Sequence, residues 1–165
     1  MNPEGLLILG LGSNIGKRED FLARAVRIVH ENTLLKLTNV RVSSWIETPA
    51  LLPENAPEWW DIPFLNGVIA AQCAVADALT ILQEVKHIEA VLGRQDRGRW
   101  GPREIDIDII AYGNRVLHSS ELTLPHAGML ERPFVLQPLA QVCPDWIYPD
   151  SAHADAYQKP ITFFL

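Results

Sequence analysis

Cysteine is scarce in this chain and basic charge is in deficit, and each shortage closes off a class of function. Cys73 and Cys143 are the only thiols, far apart and outside any metal-ligand spacing, so they support neither a disulfide framework nor a thiolate metal centre. They read as reduced, buried thiols. With 14 Lys and Arg against 20 Asp and Glu, the net charge of −6 lacks the basic surplus that binds nucleic acid. Long hydrophobic runs are missing too: charges or prolines break each of them before membrane-spanning length. The first residues show no basic stretch leading into an apolar one, so a secretion signal is not expected. Repeats, low-complexity tracts and linkers are also wanting. These absences predict one cytoplasmic domain over residues 1–165, monomeric, with no nucleic-acid or membrane partner. The 48% of apolar residues are enough for an ordinary globular core.

The apolar pattern of what is present alternates between periods. Residues 6–11 are a short apolar run that reads as a buried first strand, followed by a loop over 12–17. Phe21, Leu22, Ala25, Val26 and Val29 recur at helical spacing, which predicts a helix over 18–30. Residues 37–45 alternate around Val40 and Val42 as a second strand. The four prolines and paired tryptophans of 47–63 read as a long loop. Residues 64–73 read as a third strand, and Leu79, Leu82, Val85, Ile88 and Leu92 mark a second helix closed by Gly93. A strand reaching Tyr112, a hairpin turn at Gly113-Asn114, a short edge strand at 122–124 and a third helix over 134–140, with Pro133 in its first position, complete the chain. The order βαββαβ predicts an α+β fold of ferredoxin-like type, helices on a mainly antiparallel sheet in three α/β/α layers.

The most informative segment is Arg99-Trp-Gly-Pro-Arg-Glu-Ile-Asp-Ile-Asp-Ile-Ile110. Ile105, Ile107 and Ile109 alternate with Asp106 and Asp108, so in a strand both carboxylates share one face, about 6–7 Å apart along the chain. Two such carboxylates repel and call for a cation, and oxygen-only donors suit Mg²⁺. Relief of that repulsion predicts that removing either aspartate leaves stability unharmed. Arg94, Arg97, Arg99 and Arg103 come directly before the pair, and guanidinium groups beside a carboxylate metal site suggest a polyphosphate ligand.

The remaining candidates are weaker. Gly10-Leu-Gly-Ser-Asn-Ile-Gly16-Lys17 fails both the Walker A and the dinucleotide spacing, leaving a strand–loop–helix that could approach a ligand with backbone N–H groups. His30, His87, His118 and His153 read as surface or satisfied histidines. His126, in a proline-fixed segment shortly before Arg132, could add donors to a phosphate. Phe64, Phe134 and Trp100 stand near loop or strand ends, where core packing is the default and stacking on a flat heterocycle the alternative.

Taken in order, these pieces resemble the 6-hydroxymethyl-7,8-dihydropterin pyrophosphokinase family across almost the whole length. The matching stretches are residues 11–14, 47–49, 64–66, 88–89, 92–94, the twelve residues 99–110, 124–126 and 132–139. The resemblance implies transfer of the terminal pyrophosphate of ATP, the co-substrate, to the CH₂OH group of a dihydropterin, with release of AMP. It implies two Mg²⁺ ions on Asp106 and Asp108, with Arg94 and Arg103 beside them as catalytic groups. Glu89, Arg97, Arg99, Trp100, Ile109, Thr123, His126 and Arg132 would serve ATP. Thr48, Pro49, Leu51, Phe64, Asn66 and Phe134 would hold the pterin, stacked between the two phenylalanines. It further implies three ligand-covering loops, here 12–17, 49–63 and 94–103, the last open without ligand and closing on it.

The chain departs from the family at several places. Asp96 stands where some members carry a second arginine, with Arg97 as the candidate replacement. Lys86 stands for a familiar glutamine, Glu121 for an arginine, and Ala127 for a bulkier residue. Two other functions compete. A nucleotide-sugar glycosyltransferase would also use Asp-x-Asp but leaves the arginines unexplained. A ferredoxin-like RNA-binding module would place aromatics, not aspartates, on its sheet face.

Overall fold

The computed structural model describes residues 3–75, 77–149 and 160–165. In chain order the regular elements are β1 Leu6–Ser13, α1 Arg18–Glu31, β2 Thr38–Val42, β3 Ile46–Thr48, β4 Phe64–Gln72, α2 Ala78–Val91, β5 Asp106–Tyr112, β6 Leu117–His118, β7 Thr123–Leu124 and α3 Pro133–Val142. The main sheet runs β2-β4-β1-β5, with β3 also on β4, and every pairing is antiparallel. With the helix insertions this is the ferredoxin-like order, so the fold expectation holds.

Each strand feeds two cores, because successive side chains face opposite ways. Leu7, Leu9, Leu11, Ile69, Ile107 and Ile109 pack under Leu22, Ala25 and Val29 of α1 and Ile81, Val85 and Ile88 of α2. Ile8, Val68, Ala70 and Ile110 face the other way, onto Val135, Leu136 and Leu139 of α3. Three layers result. The helices begin for local reasons: the Asp77 carboxylate accepts N–H bonds from Leu79 and Thr80 at the start of α2, a capping residue. Pro133 opens α3 at a position that has no N–H bond to lose. Both cysteines are free and buried, as expected.

Three sequence expectations are corrected. β1 does not end at Leu11 but continues through Gly12 to Ser13, since Gly12 pairs with Asn66 on one side and Asp106 on the other. The strand expected over 37–45 breaks after Val42 and resumes as β3. The Ser43 hydroxyl accepts the Val68 N–H at 2.9 Å, and the Trp45 ring lies where a Gly67 Cβ would come within 2.3 Å of it, so the chain bows around that contact. Third, Gly113-Asn114 does not make a hairpin onto β5; the following strand β6 pairs with β7 instead. The outer edge of β5 is already used. Ile107 N–H donates to the Glu89 carboxylate at 2.6 Å, Ile107 carbonyl accepts from Lys86, and Ile110 carbonyl accepts from His126 N–H at 2.8 Å.

Candidate active site

The sheet face toward α3 opens into a cleft at its end. In the β4–β1–β5 ladder, Asn66, Gly12 and Asp106 form one cross-strand row and Val68, Gly10 and Asp108 the next. Paired residues of antiparallel strands point to the same side, so the two aspartates share the α3 face while Ile105, Ile107 and Ile109 fill the opposite core. The middle strand contributes only hydrogen to this floor. A Cβ on Gly12 would stand 3.0 Å from Asn66 Oδ1 and 3.4 Å from Phe64 Cδ1, and one on Gly10 3.0 Å from Ile110 Cδ1. The glycines therefore keep open a cleft of about 250 Å³ between the carboxylates and the aromatic residues.

That cleft brings together most residues singled out from the sequence: Asp106, Asp108, Arg99, Trp100, Arg103, His126 and Arg132, together with Thr48, Pro49, Leu51, Phe64, Asn66 and Phe134. Asn66 Nδ2 donates to Thr48 Oγ1 at 2.8 Å, which orients an amide that offers both a donor and an acceptor to a ligand edge. Arg132 lies with its guanidinium 5.9 Å from the Phe134 ring centre, and Arg99 lies 5.3 Å from that of Trp100.

Five predicted residues lie elsewhere. Glu89, Arg94 and Arg97 line a second cavity beside the first, together with Lys86. The Ile109 side chain is buried in the helix-side core, so only its main chain, on the outer edge of β5, is available to a ligand. Thr123 sits half-buried in β7, paired with His118. His30, His87 and His118 are exposed, as expected; His153 lies outside the described residues.

The electrostatics of the carboxylate pair are unequal. Arg94 Nη1 reaches Asp106 Oδ1 at 2.6 Å and Arg103 Nη1 reaches Asp106 Oδ2 at 2.7 Å. Burial would raise the Asp106 carboxyl, but Arg103, Arg94 and Lys86 outweigh it and hold it below the ordinary carboxylate value. Among the described residues Asp108 has no guanidinium of its own, and its nearest cation-capable group is His126 Nε2 at 3.9 Å. Burial first, and the Asp106 charge second, push Asp108 upward. The cation expected between the aspartates is thus partly supplied by arginine, and only on one of them.

Glu89, grouped by the resemblance with the ATP residues, is tied into the protein by its surroundings. Its side chain is 3% exposed. It accepts from the Ile107 N–H, from Arg94 and, at 3.1 Å, from Lys86. Arg94 is therefore held between Glu89 and Asp106. Burial raises the Glu89 carboxyl despite Lys86, the Ile107 N–H and Arg94.

Residues that sequence reasoning left out of the site are Gly10, Gly12, Asn14 and Glu104. Asn14, 2% exposed, ties three segments: its Oδ1 accepts the Arg103 N–H at 2.7 Å, its own N–H donates to the Arg103 carbonyl at 3.1 Å, and Nδ2 donates to the Ile62 carbonyl at 3.1 Å. Arg18 likewise clasps both stems of the 49–63 loop, reaching Glu47 at 2.6 Å and the Pro63 carbonyl at 2.7 Å. The period-two glycines were a usable signal; Asn14 was visible only as a motif letter.

The donor set fits a magnesium ion bound with a polyphosphate. Mg²⁺ commonly takes one or two carboxylates and leaves the remaining positions to water and phosphate oxygens. Asp106 and Asp108 offer such a pair, and among the described residues no larger cluster of His, Cys, Asp and Glu could replace it. No helix is long and apolar enough to cross a membrane among those residues.

Comparison with known proteins agrees with this geometry. Residues 8–144 match the family model described as 7,8-dihydro-6-hydroxymethylpterin-pyrophosphokinase (HPPK). A 2-amino-4-hydroxy-6-hydroxymethyldihydropteridine pyrophosphokinase of Synechocystis sp. is 39% identical over 145 residues, covering 87% of this chain and 69% of the relative. A folate synthesis bifunctional protein of Chlamydia trachomatis is 37% identical over 146 residues, with 87% of this chain but 32% of the relative covered; the chain spans about a third of such bifunctional relatives. Among solved structures, wild-type HPPK-DHPS of Plasmodium falciparum with pteroate superimposes with a TM-score of 0.64 at 14% identity, over 96% of this chain and 43% of that one, a likeness of fold. With a family model spanning most of the chain and a relative 39% identical that the chain covers to 69%, the chain belongs to the 7,8-dihydro-6-hydroxymethylpterin-pyrophosphokinase family.

Proposed function

We propose that the protein transfers the terminal pyrophosphate of ATP to the hydroxymethyl group of 6-hydroxymethyl-7,8-dihydropterin, releasing AMP, as a step of folate biosynthesis. The observation that carries this reading is the single cleft in which Asp106 and Asp108 share a floor with Asn66 and Phe64. One end of that cleft suits a metal-bound polyphosphate and the other a flat, hydrogen-bonding ring.

At the ring end, Phe64 and Phe134 would sandwich the pterin. Asn66 and the main chain around Thr48, Pro49 and Leu51 would bond its amide-like edge. At the phosphate end, Arg99, Trp100, His126 and Arg132 would receive ATP, with Arg94 and Arg103 turning from Asp106 toward the phosphates as these bind. Glu89 would hold Arg94 and the β5 edge in place. The outward main chain of Ile109 and the nearby Thr123 would hold the adenine. Two Mg²⁺ ions on Asp106 and Asp108, when bound, would neutralise phosphate charge and align the displacement.

In the reaction the pterin hydroxyl oxygen forms a bond to the β-phosphorus, the bond from that phosphorus to the α–β bridging oxygen breaks, and AMP leaves with the bridging oxygen. The hydroxyl proton needs an acceptor. The Asp108 carboxylate, on the floor of the same cleft, would take it. Beyond that proton, catalysis rests on orientation and charge, as in phosphoryl transfer generally. The loops 14–17, 49–63 and 94–103 would exclude water, the last closing over bound ATP. The same reading favours one domain over residues 1–165, acting as a cytoplasmic monomer on small molecules, with neither nucleic acid nor membrane as partner.

The test is direct. The protein is incubated with Mg²⁺, ATP and hydroxymethyl-dihydropterin, and nucleotides are separated. AMP formed only with pterin present, and lost on adding EDTA, is expected. ADP as the product, or turnover indifferent to pterin, refutes the proposal.

A further inference from the structure

Resting on the functional reading above, we propose that Arg97 and Glu104 form a brace that holds the 94–103 loop in its ligand-receiving shape, so that Arg97 is a positioning residue and not a phosphate ligand. The resemblance had offered Arg97 as the stand-in for an arginine missing at Asp96. Its surroundings assign it differently. Arg97 Nη2 meets Glu104 Oε1 at 2.6 Å and Nη1 meets Oε2 at 2.9 Å, a two-pronged pairing that fixes direction as well as distance. The same nitrogens reach the Pro102 carbonyl and Gln95 Oε1, each at 3.3 Å. Glu104 Oε2 also accepts the Gln95 N–H at 3.2 Å. One guanidinium and one carboxylate thus tie the outgoing limb of the loop to the returning limb.

The loop's own sequence serves that closure. Asp96 Oδ1 accepts the Gly98 N–H at 2.8 Å, so the residue that displaced an arginine turns the chain instead. Gly98 has φ of +87°, and a Cβ on Gly101 would fall 2.4 Å from the Arg97 carbonyl oxygen; only glycine admits both. The brace sits directly behind the part of the loop that faces the cleft, where Arg99, Trp100 and Arg103 line the wall. Arg103 is fixed on its other side by Asn14. With the pair formed, ordering these residues costs less when ATP arrives, because part of their conformational freedom is already removed. A phosphate on Arg97 would have to displace a carboxylate and then lie beside its negative charge. Arg97 also lies outside the cleft that holds Asp106 and Asp108.

Arg97→Gln, Glu104→Gln and the double variant separate the two roles, with Arg97→Lys keeping charge but losing the fork. Amide hydrogen exchange of residues 95–103 is followed by mass spectrometry without nucleotide, circular dichroism confirms folding, and KM for ATP is measured alongside kcat. Each single Gln variant should speed exchange and raise KM by about fivefold, the scale of a well-oriented charge pair, with kcat less affected. The double variant should be no worse than either single one, because the two act as a unit, and the Lys variant should fall between. A raised KM in Arg97→Gln with an unchanged or lower KM in Glu104→Gln overturns the proposal, since Arg97 would then be an ATP ligand that Glu104 restrains. Unchanged exchange, or faster exchange with unchanged KM, overturns it as well. If the parent yields no pterin-dependent AMP, the functional reading fails, and the brace is then judged by exchange alone.

Discussion

Substituting asparagine for each aspartate of the pair should move stability in opposite directions. Asp106 accepts from Arg94 and Arg103, and these three side chains are only 18%, 24% and 23% exposed. Removing one member of a buried ion pair typically costs about 3–5 kcal/mol. Partial exposure, and the acceptor oxygen that Asn retains, reduce this to about 1–3 kcal/mol. Among the described residues Asp108 has no guanidinium partner, and it feels Asp106 about 6.6 Å away along the strand. At an effective dielectric constant of about 20 that repulsion is about 2.5 kcal/mol. With the Asp108 side chain 39% exposed, screening leaves about 1 kcal/mol or less to be regained. In metal-free buffer at pH 7, Asp106→Asn should melt about 3–10 °C below the parent and Asp108→Asn about 1–4 °C above it. The pH dependence follows from the directions of the shifts. Asp106, held low, contributes stability above its unfolded value of about 3.9 that is lost as pH falls through the lower native value. Asp108, held high, carries a penalty that grows as pH rises from about 3.9 through its raised native value, so the gain in Asp108→Asn should vanish at lower pH. Equal rises in both variants would refute the reasoning, showing that the guanidinium pairs with Asp106 are not formed. The repulsion argument from sequence alone had predicted that symmetric result.

Two further substitutions probe the walls of the cleft and the edge of the sheet. Gly12→Ala puts a methyl group 3.0 Å from Asn66 Oδ1 and should weaken pterin binding by about tenfold, the scale of a mild overpacking clash, while KM for ATP changes little; calorimetry with pterin alone would contradict this by finding parental affinity. Glu89→Leu leaves the Ile107 N–H and Lys86 without their buried acceptor and should lower stability by about 1–3 kcal/mol; an unchanged urea midpoint would show that Glu89 does not hold the β5 edge.

Period, caps and turn residues are properties of neighbours in the chain, and they were enough to determine much of this protein. The alternating run at 105–110, the helices flanked by Gly93 and Pro133, and the βαββαβ order were all legible, as was the resemblance carried by residues 99–110. The sequence also marked most of the side chains that line the cleft. It could not say how they are shared out, because that depends on residues distant in sequence. Gly12 faces Asp106 across two strands, and Asn14 bonds a residue 89 positions away. Only the folded sheet makes the two glycines a floor beneath a ligand. The same limit explains the failed hairpin at Gly113-Asn114. A turn signal is local, whereas the claim of Lys86, Glu89 and His126 on the edge of β5 is tertiary. It also explains the arginines, which looked equivalent as a cluster. The structure gives Arg94 and Arg103 to Asp106 and Arg97 to Glu104. Charge in a sequence has no direction, and a guanidinium acquires one only when the fold brings a carboxylate within hydrogen-bonding reach.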